Sequence, residues 1–387
     1  MSAASQLEAR IRTRLAQLRA DGLLRAMRPP VGTDLSSNDY LGLSTHPAVT
    51  AAFVHGVRQE GAGSTGSRLL RGEREAFETV ERRFAAFKGT ERALFFSSGY
   101  LANLAVVTTL AEASDVIVCD ALNHASLIDA VRLSRARRVI VPHNDVAAFR
   151  TALASTPCEG LRFVLVESLF SMDGDRAPLP ELASACRDAG ALLVVDEAHA
   201  VGIYGERGTG LIEACGVAAD AIVSINPAGK ALGVGGAFVA GPSWVIEFLV
   251  QRARPFVFST AAPPAMAHAL CASLDVIRHE PERRLRLRAL ASHLRTRLRE
   301  AGLDVAGDDS QIVPIQVGPN QAAVAIAESL QAEGFDVRAI RPPTVPEGTA
   351  RLRVSVNTAL DEPTLDRFAR LVVAALTEAG LCSAASS

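Results

Sequence analysis

Lys230 stands in SINPAGKALGVGGAFVAG, between two apolar strand-like runs and among glycines. The chain has 40 Lys+Arg, of which only two are lysine, Lys88 and Lys230. A GC-rich coding bias produces such a ratio and makes each remaining lysine informative. A guanidinium cannot form a Schiff base, so an amine that arginine has not replaced points to imine chemistry, with chance survival as the alternative. Lys88 closes the amphipathic stretch ERRFAAFKG, where a cation meets the negative end of a helix and Gly89 caps it. That position predicts a structural lysine for which arginine is a silent replacement.

Other strand ends carry polar residues of the right kinds. FFSSGYLAN puts Ser98, Gly99 and Tyr100 where a strand turns into a helix, and free N–H groups at a helix start bind anions. LLVVDEAHAVG sets Asp196 and His199 at the end of a very apolar strand, where a carboxylate needs a partner; capping the next helix is the alternative role. VESLFSMDGDRAPL ends a strand with Glu167 and Ser171, and DALNHASLIDA places His124 just before a helix, as a core, capping or catalytic histidine. Together these are the parts that pyridoxal phosphate chemistry requires. Its aldehyde needs an amine, its pyridine nitrogen an anion, and its phosphate amides and hydroxyls.

The elements that must hold these residues follow from pattern. Short apolar runs (ALFFSSG, DVIVCD, RRVIVPH, FVLVES, ALLVVDEA, AIVSIN, GAFVAG) alternate with helical stretches such as LANLAVVTTLAEA and PELASACRDAG. Near-continuous Val/Ile/Leu runs joined by helices predict an α/β fold with a mostly parallel sheet covered on both faces, and ligands bind such sheets at the carboxyl ends of the strands. Later, the arginine-rich helix EPERRLRLRALASHLRTRLREAG precedes QIVPIQVG, QAAVAIAESLQAEG, RLRVSVN and EPTLDRFARLVVAALTEAG, a smaller C-terminal α+β domain. The texture divides the chain into an N-terminal helix (over 1–28) and arm over 1–50, a large domain over 51–275 and a small one over 276–387, ending in a polar SAASS tail.

Composition narrows the classes further. With 387 residues, 49% hydrophobic, 21% charged and a net charge of −2, the chain is an ordinary globular protein and not a dedicated nucleic-acid binder. No apolar run approaches the roughly eighteen residues of a membrane span, and the N-terminus has acids and no apolar signal core, so a cytoplasmic location is expected. The six cysteines have a closest spacing of 28 residues and form no C-x-x-C pair. They predict neither a metal site nor a redox dithiol, and most are expected to be small buried hydrophobes.

Eight segments, SNDYLGLSTHP, SSGYLANLAV, NHASLIDA, FSMDGDRAPL, VVDEAHAVGIYGERGTG, GKALGVGGAFVAG, FSTAAPP and RPPTVPEGTARLRVSVN, occur in one order. In this the chain, from about residue 25 to 375, resembles the α-oxoamine synthases, fold type I pyridoxal phosphate enzymes. The resemblance implies a seven-stranded sheet flanked by helices, a homodimer, and pyridoxal phosphate as cofactor. It implies that Lys230 binds the cofactor covalently and moves protons, that Asp196 pairs with the pyridinium, and that His124 stacks on the ring. His199 and Ser171 then hydrogen-bond its O3′ side, and the Gly99 and Tyr100 amides hold the phosphate. Arg353 resembles the binder of the amino-acid carboxylate, Arg25 and Thr344 match positions near the acyl substrate, and Thr260 is a candidate contribution from a neighbouring subunit.

Within the family, TVPEGTARLR and the length most resemble the member of biotin synthesis that condenses L-alanine with a pimeloyl thioester carried on CoA or acyl carrier protein. Sister synthases use glycine or another amino acid with acetyl, succinyl or long acyl chains, and a non-catalytic homologue is the remaining alternative. Two departures stand out. Where the family places a phosphate-binding threonine three residues before the lysine, this chain has Pro227, which offers neither hydroxyl nor N–H, and Asn226 or Ser224 would have to compensate. A histidine common in LLRGEREAFETVE is replaced by Phe77, which puts substrate contacts there in question.

Overall fold

All seven apolar runs become strands of one sheet in the computed structural model, which describes residues 2–307 and 309–382. The 383–387 stretch, expected to be a polar tail, lies outside the described residues. The strand order is Arg92–Phe96, Ala237–Gly241, Ala221–Pro227, Leu192–Asp196, Arg162–Glu167, Val116–Asp120, Arg137–Val141. Ala237–Gly241 runs antiparallel to both neighbours and every other pairing is parallel. Inner strands such as Val116–Asp120 have no exposed position, so they cannot alternate apolar with polar. The edge strand Arg137–Val141 can, and its two arginines face water.

Helix Glu75–Lys88 buries Phe77, Val80, Phe84, Ala85 and Lys88, one stripe at three- and four-residue spacing. Phe84 stacks on Phe238 with centroids 4.0 Å apart, and Phe77 stacks on Phe95 at 5.9 Å beneath the Arg68 guanidinium. Phe77 is thus a core residue. Lys88 is more than the helix-end charge that its position predicts: its side chain is buried and ion-paired to Glu197. The stripe continues through the last helical turn, so the amine enters the interior.

The chain divides into two compact units. One holds the large sheet and spans Asn38–Ser171 and Asp175–Arg286; the other comprises the chain up to Ser37, Met172–Gly174 and the chain from Leu287 onward. The second unit is built on an antiparallel sheet, Ala339–Ile340, Ala350–Ser355 and Ile312–Gly318, with helices Asn320–Ala332 and Glu362–Glu378. The N-terminal arm up to Ser37 belongs to this unit because Thr33–Asp34 pairs with Phe335–Asp336 and the Asn357 amide donates to the Asp34 carbonyl at 2.9 Å, while the arm from Asn38 onward belongs to the large unit. The first helix spans Ala3–Ala20, shorter than 1–28, because Gly22 at φ +66° ends it. All six thiols are free, but only Cys119 and Cys186 are fully buried; the other four are half-buried, fewer in the core than composition suggests.

At the carboxyl edge of the sheet, His143 is clamped between two carboxylates. Nδ1 donates to Asp120 Oδ1 at 2.8 Å and Nε2 to Asp175 Oδ2 at 2.7 Å, while Asn144 hydrogen-bonds both acids. Both ring nitrogens donate only in the imidazolium. Burial pulls the pKa down, but the hydrogen bonds and charges of Asp120 and Asp175 outweigh it and hold it up at about 10. The clamp fixes Asp175, whose carbonyl accepts the Phe170 N–H at 2.9 Å, and with it the turn that carries Ser171. Because the folded value lies above the ordinary 6.5, this stabilisation is complete below about pH 6.5 and is lost as pH rises through about 10. His143→Gln is therefore expected to lower Tm at neutral pH and to flatten its fall between those limits. Parallel Tm-against-pH curves for the two proteins would show that the imidazole carries no charge.

Candidate active site

Adjacent strand ends deliver the acids. Glu167 and Asp196 are register partners on parallel strands, and both are buried. Asp196 Oδ1 accepts the Ala198 N–H and Oδ2 accepts the Asn103 amide, each at 2.8 Å. Asn103 sits on the otherwise apolar buried face of helix Gly99–Leu110, and its second amide hydrogen goes to Ser126 Oγ at 2.8 Å. Since Ser126 Oγ accepts there, its own hydrogen goes to His124 Nδ1 at 2.7 Å, which also accepts the Ser126 N–H at 3.2 Å. His124 therefore caps its helix and is the Nε2–H tautomer. Desolvation first, and the Lys230 ammonium second, hold its pKa below the ordinary value.

A second chain runs to the lysine. The Tyr40 hydroxyl donates to Asn38 Oδ1 at 2.8 Å, so at 2.7 Å it can only accept from His199 Nδ1–H. His199 Nε2 is then the acceptor for Lys230 Nζ at 3.0 Å. Lys230 rides on the connection between Ala221–Pro227 and Ala237–Gly241, tied by Ala228 N–H to the Gly236 carbonyl at 2.8 Å and by Gly233 N–H to the Lys230 carbonyl at 2.8 Å. A Cβ at Gly233, φ +68°, would meet the Leu43 carbonyl carbon at 2.5 Å, so the loop closes only with glycine there.

Glu167 completes the group. Its carboxyl accepts the backbone N–H groups of His124 and Ser171, and Oε1 is buried with no hydrogen-bond partner. Burial first, then the negative Asp196, push its pKa up to about 8 against the pull of Lys230. Ser98 caps the Gly99–Leu110 helix, leaving the Gly99 and Tyr100 amides at its start, and the Tyr100 hydroxyl pairs with Asp129.

The large unit thus brings together Lys230, His199, Asp196, His124, Ser171 and, through Pro227 at its start, the Gly99 helix. Thr260 stands exposed after Arg254–Val257 and joins none of these hydrogen bonds. Arg25, Thr344 and Arg353 belong to the other unit, where the Arg25 guanidinium donates to Thr344 Oγ1 at 3.3 Å and buried Arg353 donates to Ser355 Oγ at 2.7 Å. Tyr40, Asn103 and Ser126 escaped the sequence reading. Tyr40 lies within SNDYLGL and Asn103 within SSGYLAN, and a polar side chain in an apolar helix was the available signal for Asn103.

This donor set fits pyridoxal phosphate at its ring nitrogen and is sparse at its phosphate. Asp196 is a buried carboxylate with one hydrogen bond to each oxygen and lone pairs to spare for a pyridinium. The helix start beside Gly99 offers amides but little else, because Asn226 spends its amide on Ser224 and the Phe238 carbonyl, at 3.0 and 3.4 Å. Its orphan atom, Oδ1, is an acceptor that cannot bind a phosphate.

The chain is similar to proteins of known kind. Residues 30–372 match the model of the family described as aminotransferase class I and II. The 8-amino-7-oxononanoate synthase of Geobacter sulfurreducens is 44% identical over 382 residues, 95% of this chain and 96% of that one. A solved serine palmitoyltransferase from S. paucimobilis, with PLP and myriocin bound, superposes with a TM-score of 0.91 at 28% identity, covering 99% of this chain and all (100%) of that one. The 8-amino-7-oxononanoate synthase structure from Francisella tularensis gives 0.77 at 28% identity, covering 90% and 99%. The fold is therefore that of the fold type I pyridoxal phosphate enzymes, and pyridoxal phosphate is the cofactor.

Pro227 itself offers no hydrogen-bond donor beside the helix start. A Cβ on Gly99 would stand 2.7 Å from the Pro227 ring, so the proline fills the place beside the helix start. A charge-assisted hydrogen bond contributes about 1.5–3 kcal/mol, or roughly one to two decades of affinity. Pro227→Thr is expected to tighten pyridoxal phosphate binding by that amount, measured by titration of the apo forms. Equal dissociation constants would mean that another group already takes the threonine's place.

Proposed function

The chain belongs to the aminotransferase class I and II family, and we propose that within it the protein is an 8-amino-7-oxononanoate synthase of biotin biosynthesis. In this reaction L-alanine and a pimeloyl thioester, on acyl carrier protein or CoA, are joined. A bond forms between the alanine α-carbon and the acyl carbon, the C–S bond breaks to release the thiol, and the alanine carboxyl leaves as carbon dioxide. The observation that carries the reading is the identity of 44% over nearly the full length of both chains, alongside a complete lysine, histidine and aspartate group. Serine palmitoyltransferase superposes more closely in backbone, which makes another α-oxoamine synthase the second reading.

Bound pyridoxal phosphate supplies an aldehyde for amines and a ring that draws off electron density. The residues divide the remaining work. Lys230 anchors the cofactor and, once freed, takes and returns the α-proton of the amino acid. His199, kept as the Nδ1–H tautomer by Tyr40, presents Nε2 as an acceptor beside that amine. Asp196 holds a proton on the ring nitrogen, and its bonds to Asn103 and Ala198 keep it aimed. His124 would cover the ring face, Ser171 would serve the O3′ side, and the Gly99 and Tyr100 amides would take the phosphate. The family pattern assigns Arg353 to the amino-acid carboxylate by a two-pronged fork, Arg25 and Thr344 to the acyl group, and Thr260 to the site of a neighbouring subunit in a cytoplasmic homodimer.

Lys230→Ala is expected to abolish turnover while leaving Tm close to that of the wild-type apo form. Wild-type product formation by that variant would remove Lys230 from the chemistry. The function itself is tested by product analysis with alanine, glycine and serine, each paired with pimeloyl, acetyl, succinyl and palmitoyl thioesters. 8-Amino-7-oxononanoate from alanine and a pimeloyl thioester is the expected dominant product. A preference for serine with palmitoyl thioester would establish the second reading.

A further inference from the structure

Lys88 and Glu197 meet where neither reaches water, their side chains being 3% and 0% exposed. Lys88 Nζ donates to Glu197 Oε2 and, at 2.6 Å, to the Thr209 carbonyl, while Glu197 Oε1 accepts the Ile212 N–H at 2.9 Å. The pair joins the end of helix Glu75–Lys88 to the turn after Leu192–Asp196 and to the 209–212 segment. Glu197 is held by its backbone as well: its N–H donates to the Ile225 carbonyl at 2.8 Å, and its own carbonyl accepts from Ala200 and Val201, each at 2.9 Å. Asp196 precedes it and His199 follows two residues later. The space around the carboxylate is closed, since a Cβ on Gly210 would stand 2.4 Å from its oxygens.

We propose that Lys88 is a positioning residue for the cofactor site: its ammonium seats Glu197, and Glu197 seats the turn that presents Asp196 and His199 to Lys230. The inference rests on the cofactor site described above and not on the choice of amino acid or thioester. An ammonium concentrates its donors on one small nitrogen, whereas a guanidinium spreads them over a planar fork. Two acceptors converge on that single nitrogen, so an arginine displaces Glu197 instead of reproducing the contact. Arginine at this position is therefore not silent.

The test is pyridoxal phosphate titration of the wild-type apo form, Lys88→Arg and the double variant Lys88→Met/Glu197→Gln. Visible absorbance is followed across pH, and Tm is recorded for each. The double variant removes both charges at nearly constant shape, so no bare buried carboxylate prevents folding. Phe149→Leu, at a buried site on helix Val146–Ser155, serves as a control for simple loss of stability. Both pair variants are expected to bind the cofactor about 10–100-fold more weakly, the range found for groups that orient a ligand from behind. They are also expected to shift the pH at which the bound cofactor's absorbance changes, while the control lowers Tm and moves neither readout. Wild-type affinity and pH profile in Lys88→Arg overturn the proposal, as does an equal change in the control. A wild-type chain that takes no pyridoxal phosphate overturns the cofactor reading on which it rests.

Discussion

Asp196 ends a strand that has no solvent face, and an ionised carboxylate there persists only if the surrounding groups replace its water. One chain of polar residues in the large unit answers to that requirement. Asn103 enters an apolar helix to donate to Asp196, Ser126 is placed to accept Asn103's other hydrogen, and His124 is fixed as the Nε2–H tautomer because Ser126 must donate somewhere. One buried charge thus sets the protonation and orientation of a histidine three hydrogen bonds away. Glu167, its register neighbour, carries the complementary consequence: burial first, and the negative Asp196 second, push its pKa up to about 8.

The sheet was legible because parallel strands buried on both faces leave no choice of composition, and every apolar run in ALFFSSG through GAFVAG became a strand. Lys230, Asp196 and His199 were legible because polar residues at the ends of such strands have few structural excuses. Tyr40, Asn103 and Ser126 were not, since their roles are hydrogen bonds to residues distant in sequence and no local period encodes them. The second unit's composition was equally opaque. Nothing in the arm's sequence says that its backbone pairs with Phe335–Asp336, more than three hundred positions away.

The two arginines of RLRVSVN show how like residues separate once placed. Arg351 and Arg353 alternate onto the same face of the buried strand Ala350–Ser355. Arg351 pairs with Asp173 within the small unit and fastens the 172–174 turn, while Arg353 has Ser355 Oγ as a neighbour two residues on.

The scarcity of lysine acquires its explanation from the same physics. In a chain that uses arginine at nearly every cationic position, each of the two lysines sets a primary amine against a specific acceptor. Lys230 reaches His199 Nε2 from a glycine-bounded loop, and Lys88 reaches Glu197 and the Thr209 carbonyl in a closed interior. Helix position alone made Lys88 a helix-end charge and nothing more, because a lysine in the last turn satisfies the helix dipole whether it faces water or the core. The signal that separates the two cases is the stripe. Phe77, Val80, Phe84 and Lys88 follow one face at intervals of three or four, and a cation that continues a buried stripe must find a buried acid.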